Sequence, residues 1–246
     1  MTFQPKTRFL TETWFFSYMA KIPRQLSFQH QLSTPETEEA RLDRLQRFER
    51  IAYQDGAHCI AGVDEAGRGC LAGPVVAAAV ILPPEWTLPQ INDSKQLTPS
   101  QRETLFPLIQ QRALSVGVGM VPAEVIDQVN ILQATYLAME QAIANLSITP
   151  DYLLLDAVTL KNVPLRQRGI IKGDSLSISI AAASIIAKVS RDRLMLDYHQ
   201  QYPHYGFAVH KGYGTKQHRQ AIAQFGPCPI HRKTFRGVKE FLPSTD

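Results

Sequence analysis

Apolar residues change their spacing several times along this chain, and each change marks a new element. Between Thr37 and Gly56, the residues Leu42, Leu45, Phe48, Ile51 and Ala52 recur three and four positions apart, with Arg41, Arg44, Arg47 and Arg50 between them. That spacing predicts one amphipathic helix ended near Gly56. Cys59, Ile60, Ala61 and Val63 follow as a short apolar strand, and Pro74 to Leu82 is a nearly unbroken apolar run closed by Pro83 and Pro84. Such a run reads as a strand buried on both faces and paired back on the first. A helical pattern follows Thr98 through Leu105, Leu108 and Ile109, and Ala113 to Val121 alternates as a third strand. Pro122 to Leu146 is helical with a break at Asn130; Tyr152 to Leu155 and Arg168 to Lys172 supply two more strands; Ser177 to His199 is one long helix rich in Ala and Ile.

Three early strands able to form an antiparallel meander, followed by helices alternating with two further strands, predict an α/β fold: a mixed five-stranded sheet flanked by helices. The main domain spans 35–246. Residues 1–34 hold a single acid, Glu12, and no usable periodicity, so they read as a flexible N-terminal extension.

Composition narrows the class. At 246 residues and 44% hydrophobic, the chain can bury one sizeable core. No apolar run approaches the ~20 residues that cross a bilayer, which argues against a membrane partner. Cys59, Cys70 and Cys228 form neither a CxxC pair nor an even framework, so no zinc site or disulfide scaffold is signalled and a reducing cytoplasm is expected. No heptad stripe signals a partner subunit, and a monomer is expected. The net charge of +4 leans weakly toward a polyanion. Its distribution says more: from Gly206 to Lys239 there is no acid, while Lys211, Lys216, Arg219, Arg232, Lys233, Arg236 and Lys239 are present, a C-terminal basic segment suited to phosphates.

The acids near the strand ends carry the candidate chemistry. Asp64 and Glu65 end the first strand, Asp156 ends a later one and Asp174 follows the next. Read alone, an Asp-Glu pair could simply close a strand. Adjacent carboxylates about 4 Å apart repel by about 4 kcal/mol at an effective dielectric of roughly 20, and a divalent cation is the efficient compensator. Carboxylates at the ends of neighbouring strands can converge, and two divalent cations about 3.5–4 Å apart bridging a phosphate are an arrangement that cleaves phosphodiesters. Gly67 and Gly69, flanking Arg68, let backbone approach a ligand closely. A phosphate-cradling nucleotide module is disfavoured, since no GxxxxGK[ST] is present.

Six stretches resemble, in order, the motifs of bacterial ribonuclease HII: Asp64-Glu65-Ala66-Gly67-Arg68-Gly69, Asn92-Asp93-Ser94-Lys95, Leu155-Asp156-Ala157, Lys172-Gly173-Asp174, Ala182 through Asp192, and His210-Lys211-Gly212-Tyr213-Gly214-Thr215. The resemblance runs from about Glu39 to Phe241. It implies a ribonuclease H-like fold and a metal-dependent endoribonuclease that hydrolyses the RNA strand of RNA–DNA hybrids and incises 5′ of ribonucleotides embedded in duplex DNA, leaving 3′-OH and 5′-phosphate. It implies Asp64, Glu65, Asp156 and Asp174 as ligands of two divalent ions, Mn²⁺ or Mg²⁺. It further implies Gly67, Arg68 and Gly69 as the sensor of the 2′-hydroxyl and Tyr213 as a stacking platform. Lys95, Ser184 and Lys188 are expected to contact phosphate. Cys70 departs from the pattern, standing where bacterial members usually have proline, so φ is not fixed there by a ring. A non-catalytic nucleic-acid-binding relative would lack at least one of the four acids, and all four are present.

Overall fold

Five strands hydrogen-bond side by side in the order β3-β2-β1-β4-β5. They are β1 (Ile60–Ala66), β2 (Val75–Ile81), β3 (Ser115–Val121), β4 (Tyr152–Asp156) and β5 (Arg166–Ile170). β1, β2 and β3 form the antiparallel meander, and β4 and β5 run parallel to β1. The computed structural model describes residues 36–84 and 86–242. The extension expected at 1–34 lies outside them.

β1 is central because it is buried on both faces. Ala61 and Val63 pack with Ala77, Ala79, Leu153 and Leu155 on one side of the sheet, against α4 (Ala123–Val129) and α5 (Ile131–Ala144). The helix broken at Asn130 matches the sequence expectation: Asn130 adopts φ 72°, and its side chain accepts from the Leu132 and Gln133 amides. On the other side lie α6 (Ile178–Gln201) and α3 (Pro99–Arg112). α6 lies directly on β1 because Gly62 has no side chain; a Cβ there would fall 2.1 Å from the Ser179 carbonyl carbon. The start of this helix is thereby brought against the middle of β1.

Two element expectations shift. The helix expected over 37–56 is two, α1 (Glu38–Leu45) and α2 (Arg47–Gln54). Gln46 divides them, and its side chain donates to the Trp86 carbonyl, a contact from 40 positions away that local periodicity does not encode. β5 starts and stops two residues earlier than expected. Its last pair is Asp156 with Ile170, and Lys172 turns left-handed at φ 57°.

The C-terminal segment forms α7 (Phe207–His210), α8 (Lys216–Phe225) and irregular chain beyond, packed on its own cluster around Phe207, Ile222, Met195 and Leu71. The basic patch is therefore partly internal: Arg232 is fully buried.

Candidate active site

Register sets the first carboxylates side by side. Val63 pairs with Leu155 on parallel strands, so Asp64 and Asp156 occupy the next position of β1 and β4 and emerge on the α6 face. Asp64 is buried, its Oδ1 accepting from the Glu65 amide at 2.8 Å. Asp156 Oδ1 accepts from the Gly173 amide at 2.8 Å, which ties β4 to the turn Gly173–Ser175 that carries Asp174. Glu65 leaves β1 on the opposite face yet lines the same cleft; its Oε1 accepts from Arg68 at 3.2 Å, and its buried Oε2 has no partner among the described residues.

The electrostatics are those of crowded anions. Burial, then the charges on Glu65 and Asp156, push the Asp64 carboxyl well above the usual carboxylate range. Burial raises Glu65 against the opposing pull of Arg68. Burial also raises Asp156, against the Gly173 amide that stabilises its charge. Asp174 lines an adjoining depression that shares Asp156 and Lys95 with the main cleft. Lys95 Nζ donates to Asp174 Oδ2 at 2.7 Å, with the lysine side chain 70% exposed and the aspartate 5%. This ion pair therefore sits at the rim of the cleft. Burial lowers Lys95, but its hydrogen bond to Asp174 and the charges on Asp174, Asp64 and Asp93 outweigh that and hold the ammonium protonated.

These residues fit hard divalent cations. The donors are carboxylate oxygens, one of them unpartnered, and two side-chain cations already sit against them: Arg68 on Glu65, and the Lys95 ammonium, which is attracted by three acids. Among the described residues no three His, Cys, Asp or Glu side chains close on a single ion by themselves. Water and substrate phosphate ordinarily complete such a shell.

Asp64, Glu65 and Asp156 share a cleft of about 200 Å³ with Gly67, Arg68, Gly69, Lys95, Lys188 and Tyr213. Of the expected site residues, only Asp174 and Ser184 lie outside it. Ser184 requires correction: it is buried, its hydroxyl donates to the Ala181 carbonyl and accepts from the Ser94 amide at 3.2 Å, and so it anchors the Asn92–Lys95 loop instead of meeting phosphate. Lys188 ion-pairs with Asp192 at 2.7 Å and lies 5.7 Å from the centre of the Tyr213 ring. Tyr213 is 44% exposed and lines the cleft.

The structure adds groups that the sequence reading passed over. Asp93 stands beside Asp174 and Lys95, raised mainly by burial. Its signal in the sequence is the Asn92-Asp93-Ser94-Lys95 motif. Two fully buried arginines lie behind the glycine turn: Arg191 donates to the Ala72, Pro74 and Lys211 carbonyls, and Arg232 to those of Gly67, Arg68 and Gly73. The turn that Cys70 left without a proline ring is thus held from behind. Gly67 has φ +94° and a Cβ there would fall 2.0 Å from Arg191 Nε, whereas a Cβ on Gly69 would meet nothing within 4 Å.

A chain of imidazoles supports the Tyr213 loop. The Cys228 amide donates to His231 Nδ1 at 2.9 Å, leaving Nε2–H of His231 to donate to His218 Nε2 at 3.0 Å, and Nδ1–H of His218 to donate to the Tyr213 carbonyl at 2.9 Å. Burial holds His218 and His231 neutral, each lowered to about 4.

Comparison with known proteins places this geometry. The family model described as Ribonuclease HII matches residues 61–238. The chain is 60% identical over 202 residues to the Ribonuclease HII of Geotalea uraniireducens (strain Rf4), covering 82% of this chain and 94% of the relative. It is 61% identical over 195 residues to that of Geobacter sulfurreducens (strain ATCC 51573 / DSM 12127 / PCA), covering 79% and 90%. Among solved structures, the ribonuclease H2 of Pyrococcus horikoshii OT3 superposes with a TM-score of 0.62 at 28% identity, over 75% of this chain and 97% of that one.

Proposed function

The chain belongs to the ribonuclease HII family and is a metal-dependent endoribonuclease of the ribonuclease H type, and from that premise we propose that it incises duplex DNA 5′ of an embedded ribonucleotide as well as cutting RNA–DNA hybrids. The observation that carries the reading is one cleft lined by both a carboxylate cluster and an amide-bearing glycine turn. The first suits phosphodiester hydrolysis, and the second suits recognition of a sugar hydroxyl.

In this reading Asp64, Glu65, Asp156 and Asp174 hold two divalent ions, Mn²⁺ or Mg²⁺. When bound, such ions supply Lewis acidity toward phosphate oxygens and ease deprotonation of water. The reaction adds the oxygen of water to phosphorus and breaks the bond to the 3′ oxygen, which leaves as 3′-OH; the 5′-phosphate stays on the ribonucleotide.

The remaining residues position substrate. Gly69 leaves room for the sugar, so the turn's backbone can meet the 2′-oxygen, the group that distinguishes RNA from DNA locally. Tyr213 offers its exposed ring to the neighbouring sugar. Lys188, set between Asp192 and that ring, and Lys95, at the cleft rim, are placed for phosphate. Asp174, now paired with the Lys95 ammonium, would serve as a ligand of a divalent ion, and an ion bound there would compete with Lys95 for that carboxylate. No described helix is long and apolar enough to cross a membrane. We place the enzyme in the cytoplasm, acting as a monomer.

The test is a duplex with one ribonucleotide, incubated with and without Mn²⁺ or Mg²⁺ and mapped at nucleotide resolution. A metal-dependent nick on the 5′ side of the ribonucleotide is expected. Cutting without metal, or on the 3′ side, would refute the proposal.

A further inference from the structure

We infer that Arg232 is a positioning residue for ribonucleotide recognition, acting through the carbonyls of Gly67 and Arg68. The inference rests on the functional reading above and concerns how this chain rejects DNA.

Arg232 is fully buried and has no acidic partner within ion-pair distance among the described residues. Its three donor positions go to one turn: Nη2 to the Gly67 carbonyl at 2.7 Å, Nη1 to the Arg68 carbonyl at 2.7 Å and Nε to the Gly73 carbonyl at 3.0 Å. Its own amide donates to the Leu71 carbonyl at 2.9 Å, so side chain and backbone brace the same loop. Burying a cation without an acid is costly, and a neutral donor would suffice merely to cap a turn. A planar fork, by contrast, can take two successive carbonyls at once.

The consequence lies on the other side of those peptides. In a trans peptide, the carbonyl and the following N–H point in opposite directions. With the Gly67 and Arg68 carbonyls drawn inward by the guanidinium, the Arg68 and Gly69 amides face outward into the cleft. Neither amide has a partner among the described residues. A charged donor on each carbonyl also polarises the peptide and strengthens its opposite N–H.

This arrangement selects by penalty. A 2′-oxygen satisfies the outward amides, whereas a deoxyribose closes over them and leaves them unpaired. Sites built to hydrogen-bond a hydroxyl reject analogues lacking it by about 10⁴–10⁵-fold. The penalty persists only while the turn cannot rotate its peptides to escape it. Arg232 blocks that escape.

The experiment uses Arg232→Lys, which keeps the charge but cannot hold both carbonyls. Affinities are measured in Ca²⁺ for a duplex with one ribonucleotide and for the same duplex in all-DNA form, alongside Mn²⁺ titration without nucleic acid. The ribo-to-deoxy affinity ratio is expected to fall at least tenfold, with Mn²⁺ affinity within twofold of the unaltered protein. A folded variant that retains the ratio within twofold overturns the inference while leaving the functional reading intact. Absence of any ratio in the unaltered protein overturns that reading as well. Should the variant not fold, nitrogen-edited NMR on the unaltered protein decides: the Arg68 and Gly69 amides and the Arg232 Nη–H groups, which hold the two carbonyls, are expected to shift with the ribonucleotide duplex and not with DNA. Equal shifts with both duplexes would overturn it.

Discussion

Replacing Asp64 with Asn should make the protein more stable and inactive at once, and the size of the stability change depends on metal. Asp64 is 3% exposed, stands beside Asp156 on the neighbouring strand, and feels the charge of Glu65 as well. Adjacent strands lie about 4.8 Å apart, so carboxylates on paired positions approach to about 6 Å, and at an effective dielectric of about 20 each like-charge pair costs about 3 kcal/mol. Lys95 offsets part of this. Asn keeps the oxygen that accepts from the Glu65 amide and gains an NH₂ able to donate to Asp156. Without metal, a net gain of about 1–3 kcal/mol is expected, which for a chain of this size raises Tm by roughly 2–12 °C. Divalent ion at 100 times its Kd stabilises the unaltered protein by about 2.7 kcal/mol. The variant, lacking a central ligand, gains much less. Calorimetry in EDTA and again in Mn²⁺ should therefore show the variant's lead in Tm shrink, and reverse wherever that lead is below about 2.7 kcal/mol, while nicking of the ribonucleotide duplex disappears in the variant. If Asp64→Asn melts at or below the unaltered protein in EDTA, the carboxylates are not in mutual repulsion and the metal-site argument fails.

Other consequences follow from the same geometry. Gly67→Ala places a Cβ against Arg191 at φ +94° and should destabilise by about 1–3 kcal/mol, whereas Gly69→Ala should leave Tm within a degree or two and still cut activity severely, because its Cβ enters the space left for substrate. Equal Tm losses in a melting assay would contradict that division. Lys95→Met removes the internal cation from Asp174, so Mn²⁺ should bind several-fold more tightly by calorimetric titration even as turnover falls; unchanged or weaker binding would rule out the competition. The histidine chain predicts acid sensitivity. His218 and His231 titrate near 4 when folded against about 6.5 unfolded, so their contribution is complete above pH 6.5 and lost as pH falls through 4. Each taken alone accounts for about 3 kcal/mol over that window, although the shared hydrogen bond makes the pair less than additive. Urea unfolding from pH 7 to pH 4 should show this slope, and His218→Gln with His231→Gln should largely remove it.

The elements and the chemistry were legible in the sequence to different depths. Alternation and apolar runs reveal strands because a strand's faces repeat every two residues, and all five expected strands appear, with β5 displaced by two positions. Asn130 showed as a helix break because its signal is local. Gln46 did not, because the division there is slight: its backbone departs only to φ −87°, ψ 0°, and helical hydrogen bonds run on both sides of it. Ser184, read as a phosphate contact, and Arg232, read as part of a basic surface, were misplaced for a common reason: residue type states what a side chain can bond, not whether it faces solvent.

Sequence alone determined the ordered motifs, the family they signal and the carboxylates that end the strands, since each is a property of short contiguous stretches. Only the tertiary structure decided that Asp156 stands next to Asp64, that Asp174 is held by Lys95 at the cleft rim, and that a guanidinium 164 positions away reaches behind Arg68. Those are outcomes of strand register and helix packing, which pair residues by burying shared surface and leave no periodic trace in the chain.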